Sequence, residues 1–372
     1  MTSAAPTGTP AESNVAGATH PRIEPDGRVS FRVVAPTATT VQVQPAGPSF
    51  GTDPIDLERS ADGDWTGTIG PVAPGLHYYW LLVDGVEVND PWSQTYGGYG
   101  RQVSGLEVPD PGSVGALVSL QDVPHGDVRS RPYFAATTGT WRRLVVYTPP
   151  GYDTDVDRRY PVLYLQHGSG EDETGWTRQG RADVILDNLI AAGRAEPMLV
   201  AMVSGYAHAP EPGTPWSPAR ARIAVEGFTE LQLADVVPAV DRYFRTVPDR
   251  MSRAIAGLSM GGRQAVQTGL GALDTFAWIG GLSPAVFRGP GGGFNVPDDY
   301  VDATIGDSAV LPEHMFLSAG TDEPIFVDAV AALVPQLERR GIPTTTYLSP
   351  GTAHEWQTWR RSLIEMAPLL FR

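Results

Sequence analysis

Residues 254–266 read AIAGLSMGGRQAV. The apolar stretch Ala254–Leu258 suits a buried strand, Gly257-Leu258-Ser259-Met260-Gly261 is a Gly-x-Ser-x-Gly turn, and small residues at Gly262 and Ala265 open a helix-compatible run. Strand, sharp turn and helix in that order are what a nucleophile elbow requires: the glycines permit the tight turn and close packing of helix on strand, while the serine hydroxyl projects outward. The same five-residue pattern occurs at Gly47-Pro48-Ser49-Phe50-Gly51, but turn formers surround it and no helix-compatible run follows. Context therefore selects Ser259 as the candidate nucleophile and leaves Ser49 as a loop residue.

Working outward from the elbow, short apolar runs alternate with longer helical patterns from Arg142 to the end. Strands are expected at 144–147, 162–166, 199–203, 254–258, 278–282, 315–319 and 344–348, and helices at 182–192, 228–244, 261–273, 327–340 and 356–370. This is the pattern of an α/β domain with a mostly parallel sheet covered on both faces, and with an elbow it implies the α/β-hydrolase fold.

A serine hydroxyl is a weak nucleophile and needs a base within hydrogen-bond reach, which in turn needs an acid to orient its ring. In an elbow fold the chain order is Ser, acid, His. Only His314 and His354 follow Ser259. His314 begins a strand before any plausible acid turn, whereas His354 lies in the loop between the last strand and the final helix, so His354 is the candidate base. The strand at 315–319 runs into Gly320-Thr321-Asp322-Glu323, and both Asp322 and Glu323 are candidate acids.

The remaining composition narrows the function classes. The 372 residues exceed one typical domain. A net charge of −15 gives no cationic footprint for nucleic acid or anionic lipid, and every basic residue is Arg. With no cysteine there are no disulfides, thiolate metal sites or cysteine nucleophiles. No apolar run approaches the roughly 18 residues of a membrane span, and 1–20 lacks the basic start and apolar core of a signal peptide. Residues 1–22, small and polar, are expected to form a disordered tail. From 23 to 108 the chain reads as a small all-β unit: Val29, Phe31 and Val33 alternate, as do Val41 and Val43, and Tyr78, Trp80 and Leu82 lead into the hairpin dipeptide Asp84-Gly85. Residues 109–125 are the expected linker, and 126–372 the catalytic domain.

Four segments carry a resemblance: VYTPPGY at 146–152, LYLQHGSGEDETGW at 163–176, AGLSMGG at 256–262 and SPGTAHEWQTWRRSL at 349–363. Together they resemble the feruloyl and acetyl-xylan esterases of carbohydrate esterase family one, the enterochelin-esterase-like group, from about residue 126 onward. The resemblance implies Ser259 as nucleophile and His354 as base. It favours Glu323 over Asp322 as acid, although many relatives carry Asp there. One oxyanion donor is expected in the amide of Met260, the residue after the nucleophile, and position and resemblance together select the amide of Ser169 as the other. No metal or organic cofactor is implied, and the residues leave the compartment of this soluble chain undecided while the resemblance points to secretion. The stretches PDGRVSFRVVAP at 25–36 and VDGVEVNDPWS at 83–93 are similar to immunoglobulin-like early-set modules related to carbohydrate-binding module family forty-eight. Trp65, Tyr78, Tyr79, Trp80 and Trp92 in that unit read as packing rather than as a sugar platform.

Pro/Gly-rich stretches at 206–222 and 287–298 fall where loops at the carboxyl ends of the strands hold ligands. Trp176, Tyr206, Trp216 and Trp356 are candidates for an aromatic wall, and Trp359 for the core. The expected activity is serine ester hydrolysis, on hydroxycinnamoyl or acetyl esters of plant polysaccharide by the resemblance. A siderophore esterase and a glycan-binding protein with a vestigial hydrolase domain are the alternatives. The expected partner is the ester substrate, with no nucleic acid and no membrane.

Overall fold

The computed structural model describes residues 8–207, 227–286 and 295–372. The chain divides into two compact units, the first running to Gly115 and including Glu355–Gln357, the second formed by Ala116–His354 and Thr358–Arg372.

The first unit holds two antiparallel sheets that share one apolar core. Val29, Phe31 and Val33 come from one sheet and Val41, Val43, Tyr79 and Leu81 from the other, with the Phe31 and Tyr79 rings edge to face at 5.4 Å. Asp84 and Gly85 both take positive φ, the conformation of a tight hairpin turn, and Val83 pairs with Val86 across it. The alternation read from Tyr78, Trp80 and Leu82 is out of phase by one residue. Tyr79 and Leu81 are the buried members, at 0% and 1% exposure. Strand Gly75–Val83 is apolar on both faces, so period-two reading has nothing with which to choose between them.

Residues 8–22, expected to be disordered, are structured. Thr9–Pro10 pairs with Arg22–Ile23, Ala11 is buried, and the Ser13 hydroxyl accepts the Glu107 amide at 3.0 Å. Composition missed this because the segment is held by backbone and hydroxyl hydrogen bonds, which need no large apolar side chains. The Gly47–Gly51 motif forms a loop closed by an isolated bridge between its two glycines, with no helix after it.

The second unit is built on an eight-stranded sheet: β1 (Asp127–Ala135), β2 (Thr140–Thr148), β3 (Val162–Gln166), β4 (Leu199–Val203), β5 (Arg253–Leu258), β6 (Trp278–Leu282), β7 (His314–Gly320) and β8 (Thr344–Ser349). The order is β1-β2-β4-β3-β5-β6-β7-β8. The β1–β2 and β2–β4 pairings are antiparallel and every other pairing is parallel. Strands β3, β4, β5 and β6 are buried at every residue, as expected for parallel strands covered on both faces. Four helices matter for the site or its support: α1 (Ala182–Ala191), α2 (Ser259–Gly271), α3 (Pro324–Arg339) and α4 (Trp356–Met366).

Strand β1 was not anticipated. Its sequence DVRSRPYFA is mostly exposed and contains Pro132, both of which suit a sheet edge and obscure a hydrophobic signal. Among the described residues no helix is long and apolar enough to cross a membrane.

Candidate active site

The carboxyl ends of β5 and β7 and the loop after β8 bring three side chains together. Ser259 is the first residue of α2 and has φ +51°, a left-handed conformation that non-glycine residues adopt only under constraint. The constraint comes from the packing of α2 on β3 and β5. A Cβ on Gly261 would collide with the His167 carbonyl, so the second motif glycine lets the helix start lie directly on the loop after β3.

The Ser259 hydroxyl is 2.9 Å from His354 Nε2, and His354 Nδ1 is 2.6 Å from Glu323 Oε2. The Phe326 ring stacks on the imidazole at 4.1 Å and 12°, and Trp359 meets it edge-on at 5.0 Å. Both rings fix its plane.

Glu323 is 5% exposed and occupies the N-cap position of α3 without a side-chain capping bond, at the helix end where the dipole favours a negative charge. Its Oε1 accepts the Gly320 amide and the Ser283 hydroxyl, each at 2.5 Å. Asp322 is exposed, and its carboxylate accepts the neighbouring Thr321 hydroxyl at 3.1 Å. Adjacent residues in this turn thus face opposite ways, and it is Glu323 that meets the imidazole. Gly320 is required because any side chain there would collide with the Thr352 carbonyl, where the histidine loop crosses the acid turn.

The loop after β3 supplies the remaining geometry. A Cβ on Gly168 would stand 3.6 Å from Ser259 Cβ, which places this loop against the hydroxyl-bearing residue. His167 is 1% exposed; its Nδ1 lies 2.7 Å from the Gly168 carbonyl, and its Nε2 accepts the Gly205 amide at 2.9 Å. That pair of bonds requires a neutral ring with the proton on Nδ1, and burial pushes the imidazole below its ordinary range in the same sense. Glu171 accepts the Gly168 amide at 2.9 Å and the Tyr206 hydroxyl accepts the Gly170 amide at 2.6 Å. The Ser169 amide lies between these two tethered neighbours. Met260 lies in the first turn of α2, where amides have no intrahelical acceptor.

The expected aromatic wall is not assembled from all four candidates. Trp176 and Trp356 are each 1% exposed and present no free ring face. The short helix Gly175–Arg178 turns Trp176 onto the end of β3, where its indole donates to the Gln166 carbonyl at 2.8 Å. Tyr206 is half-buried and tethers Gly170. Trp216 and most of both Pro/Gly-rich stretches lie outside the described residues. His167, Ser283 and Phe326 were missed by sequence reading. The His-Gly pair at 167–168 carried a signal for the first, but the partners of the other two come together only in the folded sheet.

The family model described as "Putative esterase" matches residues 135–370. The chain belongs to this esterase family. Over 368 residues, 98% of its length, this esterase is 36% identical to an endo-1,4-beta-xylanase/feruloyl esterase of Xylanibacter ruminicola, and covers 47% of that protein. It is 27% identical over 64% of its length to endo-1,4-beta-xylanase Y of Acetivibrio thermocellus, covering 22% of it. It thus spans about half or less of the length of these two relatives. Among solved structures it resembles a CE1 ferulic acid esterase of Anaeromyces mucronatus, with TM-score 0.59 and 21% identity over 68% of this chain and 93% of that one. It also resembles the enterobactin esterase of Shigella flexneri, with TM-score 0.67 and 18% identity over 91% and 92%. These likenesses show the α/β-hydrolase fold.

Proposed function

We propose that this esterase is a serine carboxylic-ester hydrolase working through Ser259, His354 and Glu323. The observation that carries the reading is the continuous chain of contacts, 2.9 Å from Ser259 Oγ to His354 Nε2 and 2.6 Å from His354 Nδ1 to Glu323 Oε2. The Ser259 oxygen attacks the ester carbonyl as His354 Nε2 takes its proton, and the buried Glu323 carboxylate stabilises the imidazolium. The tetrahedral oxyanion is met by the Ser169 and Met260 amides, each such donor being worth about 10²–10³ in rate. Collapse of the intermediate expels the alcohol, which takes the proton from His354. Water then attacks the acyl-enzyme by the same proton route, releasing the acid and restoring Ser259.

The substrate class we favour is a hydroxycinnamoyl or acetyl ester of plant polysaccharide. It is supported by the 36% identity, over 98% of the chain, to a protein named as a xylanase/feruloyl esterase. The second reading, hydrolysis of a siderophore ester, is supported by the coverage of 91% of the chain by the enterobactin esterase fold. We read the first unit as an immunoglobulin-like β-sandwich, on the strength of its two antiparallel sheets around one core.

The test is a panel of methyl ferulate, acetylated xylan and a cyclic tri-ester siderophore, run with wild type and Ser259→Ala. Ferulate or acetate release that disappears in Ser259→Ala is the expected result. Preferential cleavage of the siderophore would replace the substrate assignment, and absence of turnover on every ester would favour a binding protein instead.

A further inference from the structure

Ser283 shares with Ser259 a left-handed backbone, at φ +43°. It follows β6 directly, is fully buried, and belongs to none of the groups that react. An unfavourable conformation retained in a buried serine points to a role that over-determines it.

The contacts of Ser283 identify that role. Its hydroxyl donates to Glu323 Oε1 at 2.5 Å and accepts the Trp359 indole N–H at 3.2 Å. Its one proton is committed to the carboxylate because the indole can only donate. Its amide donates to the Ser318 carbonyl at 2.7 Å, which pins the turn to β7. Two residues on, the Ala285 amide donates to the Ser259 carbonyl at 3.0 Å. A single short turn therefore grips the acid through a side chain and the residue bearing the attacking hydroxyl through its backbone.

We infer that Ser283 is a positioning residue for the proposed triad: it fixes the Glu323 carboxylate so that Oε2 faces His354 Nδ1, and it couples that placement to the elbow through the turn 283–285. Two donors on Oε1, the Gly320 amide and the Ser283 hydroxyl, leave Oε2 as the oxygen presented to the imidazole. With the Ser283 hydroxyl removed, Oε1 keeps only the Gly320 amide as donor, and the carboxylate is freer to rotate about its last torsion. Trp359 loses its acceptor at the same time, and its edge contact with His354 loosens. The inference rests on the triad reading above.

The test uses the full chain with Ser283→Ala and Ser283→Gly. Both remove the hydroxyl, and the second also suits the positive φ, so at least one is expected to fold. The expected result is a fall in kcat of about 10- to 100-fold, the range set by losing one hydrogen bond to a charged group, with KM changed less than about twofold. The downfield proton resonance of His354 Nδ1–H, identified by its loss in Glu323→Gln, should move or broaden in both variants. A structural role alone would leave that resonance in place in folded protein. Wild-type kcat with an unshifted resonance in either folded variant would overturn the inference. Ser259→Ala is measured alongside: if it retains turnover, the triad reading fails, while the resonance still decides whether Ser283 positions Glu323.

Discussion

Replacing Glu323 with Gln changes one atom and removes one charge, and the contacts around it dictate the outcome. In wild type, Oε1 accepts from Gly320 and Ser283 while Oε2 faces His354 Nδ1. An amide has one accepting oxygen. The Gly320 amide can only donate, so the glutamine oxygen must stay at the Oε1 position and the NH₂ group must point at His354. Nδ1 is then forced to accept, the ring proton moves to Nε2, and Nε2 can no longer take the proton of Ser259. The wrong tautomer in an otherwise intact site costs about 10⁴ in kcat, equivalent to roughly 5.4 kcal/mol of transition-state stabilisation. The side chains have the same shape, so near-UV circular dichroism should be unchanged. The assay is turnover of p-nitrophenyl acetate and methyl ferulate beside Asp322→Asn, whose exposed carboxylate accepts the Thr321 hydroxyl and should leave kcat within about threefold of wild type. Folded Glu323→Gln within tenfold of wild type, with Asp322→Asn collapsing, would assign the acid's role to Asp322 instead.

Further outcomes follow from the same geometry. Tyr206→Phe removes the acceptor of the Gly170 amide and should lower kcat by about tenfold with little change in KM, since one neutral hydrogen bond steadying the loop proposed to hold the oxyanion is lost. Steady-state kinetics check this, and a pure KM effect would return Tyr206 to a role in the pocket wall. Gly261→Ala drives a Cβ into the His167 carbonyl and should destabilise the protein by at least about 1–3 kcal/mol, read from urea unfolding. Buried His167 protonates less readily folded than unfolded. Its contribution to stability is therefore complete above the unfolded value of about 6.5 and is lost as pH falls toward the lower folded value. The urea midpoint should drop between pH 7.5 and 5.5, by less in His167→Gln than in wild type.

Ser259 and His354 were legible because a local motif and a chain-order rule each leave few choices. The parallel strands were legible because burial on both faces writes a continuous apolar run. Which carboxylate meets the imidazole was not decided by the residues alone: Asp322 and Glu323 are neighbours with the same chemistry, and only the crossing of the histidine loop over Gly320 determines which one faces inward. Strand β1 and residues 8–22 were hidden because backbone pairing at a sheet edge leaves little hydrophobic pattern. Ser283 was hidden because its partner Glu323 lies 40 residues away in the chain. For Trp176 and Trp356 the sequence left wall and packing both open, with packing favoured for each alone, because an aromatic near a site serves either with the same side chain; their burial accords with packing.

Covalent trapping decides whether Ser259 is the acylated nucleophile. Wild type is treated with a p-nitrophenyl phosphonate ester, and intact mass and peptide mapping locate the adduct. One phosphonyl group per chain on the peptide containing Ser259, formed as esterase activity is lost and absent from Ser259→Ala, is the result expected. An adduct on another serine, Ser49 included, or full inactivation of Ser259→Ala by the same reagent, would contradict it.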